Sequence, residues 1–223
     1  MDLAQAMQER YSVRAFLDKP VEKSLIDEIL TLAVRGPSWG NTQPWEIVVA
    51  GGDTVRKMTA EFVQRVSAGD TGHPDFTMPE KFVDDYMTRY RALGVEIFRI
   101  KGIGREDKQA RTDHSLNASK GFGAPNLIYL ILDQRLETVY PIFDCGILAA
   151  YICLGATARG LGTCLMAVLT RFPDITRRYL KLGPEKKVVL GMALGYPKKD
   201  EPINQMRTPR DPLEKNVTWV DLG

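Results

Sequence analysis

The sequence is poor in the residues on which many chemistries depend. It has three cysteines and two histidines. Three thiols in a chain of 223 residues cannot build a disulfide framework. No Cys-x-x-Cys pair and no His-x-x-Glu-His spacing occurs, so no metal site is expected. No run reaches 18 apolar residues, which speaks against a membrane partner. The opening MDLAQAMQER has no secretory core, and the reading is a cytoplasmic protein with free, buried thiols at Cys145, Cys153 and Cys164. A net charge of +2, with the basic residues spread along the chain, argues against a nucleic-acid partner. Neither a phosphate loop of the Walker type nor a Gly-x-Gly-x-x-Gly fingerprint is present. His73 and His114 lie beside no nucleophile motif, and both are read as solvated.

What remains is the composition of an ordinary globular domain, 44% hydrophobic and 26% charged. Four apolar runs read as core strands: 45–50 (WEIVVA), 127–132 (LIYLIL), 163–168 (TCLMAV) and 188–194 (VVLGMAL). They alternate with helical patterns. Residues 24–35 carry Leu25, Ile29, Leu32 and Ala33 at helical spacing before Gly36-Pro37 stops them. Asp53 is expected to cap a helix running to about Ser67. A loop follows over 69–79. Pro79 and Glu80 then open a helix with Phe82, Tyr86, Tyr90, Leu93 and Ile97 on one stripe. Residues 140–159 are apolar nearly all round, which predicts a helix buried on every side, most easily with a second subunit's help. The Pro-rich stretch 201–223 reads as an extended arm.

Three polar clusters stand out. Arg10, Ser12 and Arg14 alternate, so an extended backbone aims them one way, and two guanidinium forks with a hydroxyl suit an anion or a polar ring. Arg207 and Arg210 make a second basic cluster in the arm. The turn-rich loop 37–45 (PSWGNTQPW) offers Trp39 with Ser38, Asn41 and Gln43 to a flat, heteroatom-rich ligand.

These clusters resemble the nitroreductase family of FMN-dependent oxidoreductases, whose wider circle includes iodotyrosine deiodinase and the flavin destructase of cobamide synthesis. The motifs occur in family order: R-x-S-x-R at 10–14, P-S-x-x-N-x-Q-P-W at 37–45, G-L-G-T at 160–163 and R-x-P-L-E at 210–214. The resemblance implies one α+β domain over 1–223: a three-layer fold with a central mixed, mostly antiparallel sheet flanked by helices. It implies an intertwined homodimer with an exchanged C-terminal arm. By position, Arg10, Tyr11, Ser12 and Arg14 would hold the flavin phosphate and ribityl chain. Pro37, Ser38, Trp39, Asn41 and Gln43 would reach the same FMN from across the dimer interface. Gly162, Leu165 and Met166 would lie along the isoalloxazine ring, and Arg210, helped by Arg207, would close on the phosphate. The segment of about 65–120, which matches no common pattern, would cover the site, with Trp39, Tyr86 and Tyr90 as substrate contacts.

The implied activity is reduction of a small aromatic acceptor, a nitro compound or quinone, by NADH or NADPH through bound FMN in a ping-pong cycle. No side chain is required as a catalytic acid. Leu165, Met166 and Ala167 offer no hydroxyl near flavin N5, which favours hydride chemistry over a radical path. The alternatives are reductive dehalogenation of a halogenated aromatic and a flavin-binding protein without turnover. Purified protein is expected to be yellow and to release FMN, not FAD, on denaturation, as read by chromatography of the released flavin. Colourless protein that takes up no FMN on reconstitution would sink the resemblance as a guide to the cofactor.

Overall fold

The computed structural model describes residues 1–79, 81–136 and 139–221. Strands β1 (Glu46–Gly51), β2 (Asn126–Asp133), β3 (Gly162–Met166) and β4 (Lys186–Gly195) form one sheet in the order β1-β2-β4-β3. All neighbours pair antiparallel. The bridge between Ser12 and Thr163 adds a parallel pairing at the β3 edge. All four apolar runs are strands, and the third ends earlier than expected, in a 3-10 turn at Ala167–Thr170.

Strand β2 explains the three layers. Its side chains alternate between two cores, which is why its apolar run is unbroken. Leu127, Tyr129 and Ile131 join Val188 and Ala193 of β4 against α3 (Gly52–Ser67) and α7 (Pro173–Leu180). Ile128, Leu130 and Leu132 join Met192 and Leu194 against α2 (Lys23–Ala33) and α6 (Val139–Ala158). Helix α1 (Leu3–Glu9) packs on α6, and α5 (Lys108–Ser119) on α3. A small third cluster, Ile97, Ile203 and Met206, joins α4 (Asp84–Ile100) to α8 (Pro202–Gln205).

Several local expectations are corrected. Gly51, not Asp53, sits at the start of α3; Asp53 lies in the first turn, paired with Arg56. Helix α4 begins at Asp84, so Phe82 precedes it, and Glu80 lies outside the described residues. The arm is partly packed: Ile203 and Asn204 of α8 are buried, and the Asn204 amide donates to the carbonyls of Ala15 and Lys198. The final residues of the arm, 222–223, lie outside the described residues.

Helix α6 is not enclosed on every side. Cys145, Leu148, Ile152 and Ala156 pack with the sheet and Asp144 is buried, whereas Tyr140, Phe143 and Tyr151 are exposed. It is long and apolar enough to cross a membrane by length and composition alone. Here its inward face is part of the core. Burial pushes the Cys145 thiol up to about 12, with the Asp144 charge adding, and the Cys164 thiol up to about 11.

The loop 69–79 is stapled to the fold. Asp75 pairs with Arg177 at 2.6 Å and accepts from Val188 N at 2.8 Å, while the Arg177 Nε donates to the Lys186 carbonyl. His73 N donates to the Arg171 carbonyl.

His114 departs from its expected solvated role. It sits on α5 between Phe98 and Phe122, ring centroids 5.6 and 6.3 Å away. Its Nδ1 is enclosed, with no hydrogen-bond partner among the described residues. Burial, and then the charges of Lys101 and Arg14, hold its pKa below the ordinary value. The folded protein therefore binds this proton less readily than the unfolded chain does. The resulting stability is fully present above about pH 6.5 and is lost as pH falls through the folded pKa. Wild-type melting temperature is expected to decline on that acid limb, and His114→Phe to flatten it. Parallel pH profiles for the two proteins would refute this assignment.

Candidate active site

The Arg10–Arg14 segment is seated on edge strand β3. Val13 N donates to the Thr163 carbonyl at 2.9 Å, and Ser12 bridges Thr163. Val13 itself is buried and packs over Gly162, where a Cβ would fall well inside contact distance of the Val13 methyls. With Val13 inward, its neighbours Ser12 and Arg14 point the other way, as the alternation predicted. The charges of Arg14 and Arg10 both lower the cost of ionising the Cys164 thiol, which places the cluster around the middle of β3. Arg14 N is fixed by the Asn204 carbonyl oxygen of the side chain at 2.8 Å. Among the described residues neither Arg10 nor Arg14 is paired with a carboxylate, so this positive charge is locally uncompensated.

Beside the cluster, Leu165 points outward from β3 and is 48% exposed, while Met166 turns into the core. An apolar shelf on the same edge strand as two guanidinium groups without carboxylate partners suits a ligand with a flat ring and an anionic tail. Thr163 is buried, so no hydroxyl reaches this surface from β3. The arm joins here through Arg207, whose guanidinium lies 3.7 Å from the Tyr11 ring centroid. Arg210 lines a different space, a groove of about 680 Å³ between α4 and the arm, with Arg89, Leu93 and Met206.

The loop 37–45 is built by its own polar groups. Gly40, Asn41 and Gln43 have positive φ. Gln43 N donates to Ser38 Oγ at 3.0 Å, and Thr42 Oγ1 donates to the Trp39 carbonyl at 2.9 Å. The loop docks on α6, where Trp39 N donates to both oxygens of Asp144, at 3.1 and 3.2 Å. The Trp39 ring is 63% exposed and lies 5.9 Å from the Tyr140 ring. Asp144 was missed by the site reading; its signal was a lone acid inside an apolar helix.

One chain does not unite the two clusters. The loop sits at Asp144, whereas Arg10 acts on the Cys153 thiol, nine residues further along α6. Nine helical residues separate them by about 13 Å. Tyr86 and Tyr90 are not core: they are 62% and 61% exposed near the start of α4. Phe82 lies 5.1 Å from the Tyr90 ring, and Arg89 pairs with Asp211 of the arm at 2.8 Å.

A family model described as the nitroreductase family matches residues 7–196. The chain is 31% identical over 217 residues to the chloronitrobenzene nitroreductase of Comamonas testosteroni, covering 96% of this chain and 95% of that protein. It superposes with a TM-score of 0.94, at 28% identity and full coverage of both chains, on an FMN and NADPH-dependent nitroreductase NfnB from sphigopyxis sp. strain HMH. The NfnB of Mycobacterium smegmatis, solved in complex with NADPH, superposes with a TM-score of 0.91 at 27% identity, over 98% of this chain and all of that one. The family match ends before Arg207 and Arg210, so likeness in the arm rests on these full-length relatives.

Gly162→Ala is expected to push Val13 off β3. Overpacking of this kind costs about 1–3 kcal/mol, a fall in melting temperature of roughly 3–10 °C for a domain of this size. Flavin affinity should fall with it. Gly94→Ala, in α4 with open space around it, is the control and should be neutral or slightly stabilising. Equal behaviour of the two variants in a thermal melt would show that the seat is not tight.

Proposed function

The chain belongs to the nitroreductase family, and on that premise we propose that it is an FMN-dependent oxidoreductase, reducing nitroaromatic or quinone-type acceptors with NAD(P)H. The observation that carries this reading is the pair of uncompensated guanidinium groups, Arg10 and Arg14, set against the exposed Leu165 shelf. The residues fit FMN: cations for its phosphate, a hydroxyl at Ser12, and an apolar edge strand for its ring. Bound FMN would supply the hydride chemistry, and the protein supplies binding, orientation and electrostatics.

Each side chain has a definable task. Arg10 and Arg14 hold anionic and carbonyl groups and favour negative charge on the reduced ring. Arg207, stacked on Tyr11, adds a third cation at the phosphate end; Arg210, which lines the α4 groove in this chain, would join it only through the exchanged arm. With no hydroxyl on the β3 surface, a backbone N–H there serves the ring and solvent supplies protons. Donor and acceptor use one open face in turn, which is a ping-pong cycle.

The active unit is a cytoplasmic homodimer with an exchanged arm. Two observations support it. The exposed face of α6, with Tyr140, Phe143 and Tyr151, is an apolar patch of the kind a second subunit covers. The separation of loop 37–45 from Arg10 within one chain is resolved if each loop completes the partner's site. Two such sites then form per dimer, each one drawing on residues from both subunits. The whole chain acts as one flavin-binding domain, and within its variable segment α4 is the covering element.

The test is steady-state NADPH and NADH oxidation by FMN-loaded protein over a panel of nitroaromatics, quinones and halophenols. Tight FMN binding without reduction by either nucleotide would favour a flavin store. Turnover confined to halophenols would favour a dehalogenase. Because Tyr86 and Tyr90 are exposed, Tyr86→Ala and Tyr90→Ala are expected to leave melting temperature nearly unchanged and shift Michaelis constants and acceptor ranking. Variants that melt early yet keep the parent's ranking would place these rings in packing instead.

A further inference from the structure

We propose that Asp144 is a positioning residue: its buried carboxylate anchors the Trp39 backbone and thereby sets the geometry of the whole 37–45 loop. The inference rests on reading that loop as a cofactor contact, and it assigns the loop's shape to a side chain on another element.

Asp144 is 2% exposed, and it lies on the buried side of an otherwise apolar helix. Among the described residues it has no cationic partner, and both of its oxygens are spent on one donor, the Trp39 N–H. A buried carboxylate with so little compensation is costly, so the fold gains nothing from it that a leucine would not supply better. Its geometry does achieve one thing. Trp39 opens the 3-10 turn Trp39–Asn41, and the chain then enters three positive-φ positions, Gly40, Asn41 and Gln43. Such a backbone has to be held from outside.

The hold spreads through the loop. Trp39 carries the anchor, its carbonyl accepts from Thr42 Oγ1, and Ser38 Oγ accepts from Gln43 N. One turn before Asp144 on α6, Tyr140 supports the Trp39 ring. Fixing one N–H therefore fixes Trp39, Asn41 and Gln43 as a unit. The anchor also ties the loop to the same helix whose outer face is exposed.

The experiment uses the full-length protein, with and without added FMN, and compares Asp144→Ala with Asp144→Asn. Asparagine keeps an acceptor oxygen at the same place and removes the charge. Two readouts are taken: exchange of the Trp39 amide proton, and FMN affinity by fluorescence quenching. In Asp144→Ala the amide is expected to exchange at least ~10-fold faster and FMN binding to weaken by ~10-fold or more, the scale of one lost charge-assisted hydrogen bond. Asp144→Asn is expected to restore most of both. Wild-type exchange and affinity in Asp144→Ala would overturn the proposal. So would an asparagine variant that loses Trp39 protection, and this arm decides the matter if the alanine variant does not fold. Failure of the wild type to bind FMN would remove the cofactor reading while amide exchange still decides the anchor.

Discussion

The candidate site depends on a contact between a valine and a missing side chain. Val13 lies over Gly162, and only glycine leaves room for it there. That seat brings Val13 N onto the Thr163 carbonyl and lines Ser12 and Arg14 along β3. It also explains why a charged segment can be rigid without ion pairs. The backbone is held by β3 and by Asn204, so the guanidinium groups are placed without carboxylate partners among the described residues, and Arg14 uses one donor on the Ser12 carbonyl.

Rigid and loose parts divide unevenly through the variable segment. Its first third is clamped by Asp75, Arg177 and the Val188 amide, and belongs to the fold. Its middle third, α4, buries one residue well, Ile97, and touches the body mainly at its C-terminal end and through the Arg89–Asp211 pair. A partly exposed ion pair of that sort contributes little stability. The last third, α5, is again tied in through α3 and the His114 sandwich.

The sequence was most informative where the physics was local. The run 127–132 reads as a strand because its β-branched and aromatic residues are buried on both faces. The segment carrying Arg10, Ser12 and Arg14 bridges β3 at Thr163, as an extended backbone can. Helices α1, α5 and α7 escaped notice. The stretch KQARTDHSLNAS of α5 has little apolar periodicity, and its stability comes from an Asp107 cap and packing on α3. His114 was misread because its neighbours in sequence are polar, whereas its neighbours in space are Phe98 and Phe122. Asp144 was passed over for the opposite reason: the apolar context hid a polar partner that lies more than a hundred residues away. Contacts at that separation leave no periodic trace in either segment.

Among the described residues, helix α4 contributes none to the two main cores, and this has a bearing on how such a chain can change. Substitutions in its first three turns touch almost nothing of the two main cores, so they are nearly free of the stability threshold that restrains mutation elsewhere. The cradle enjoys no such latitude, since each of its parts is packed against another. If α4 covers the site as proposed, inheritance can retain the cofactor chemistry almost unaltered and revise the surface that meets the acceptor. New acceptor preferences would then arise where the protein can afford to experiment.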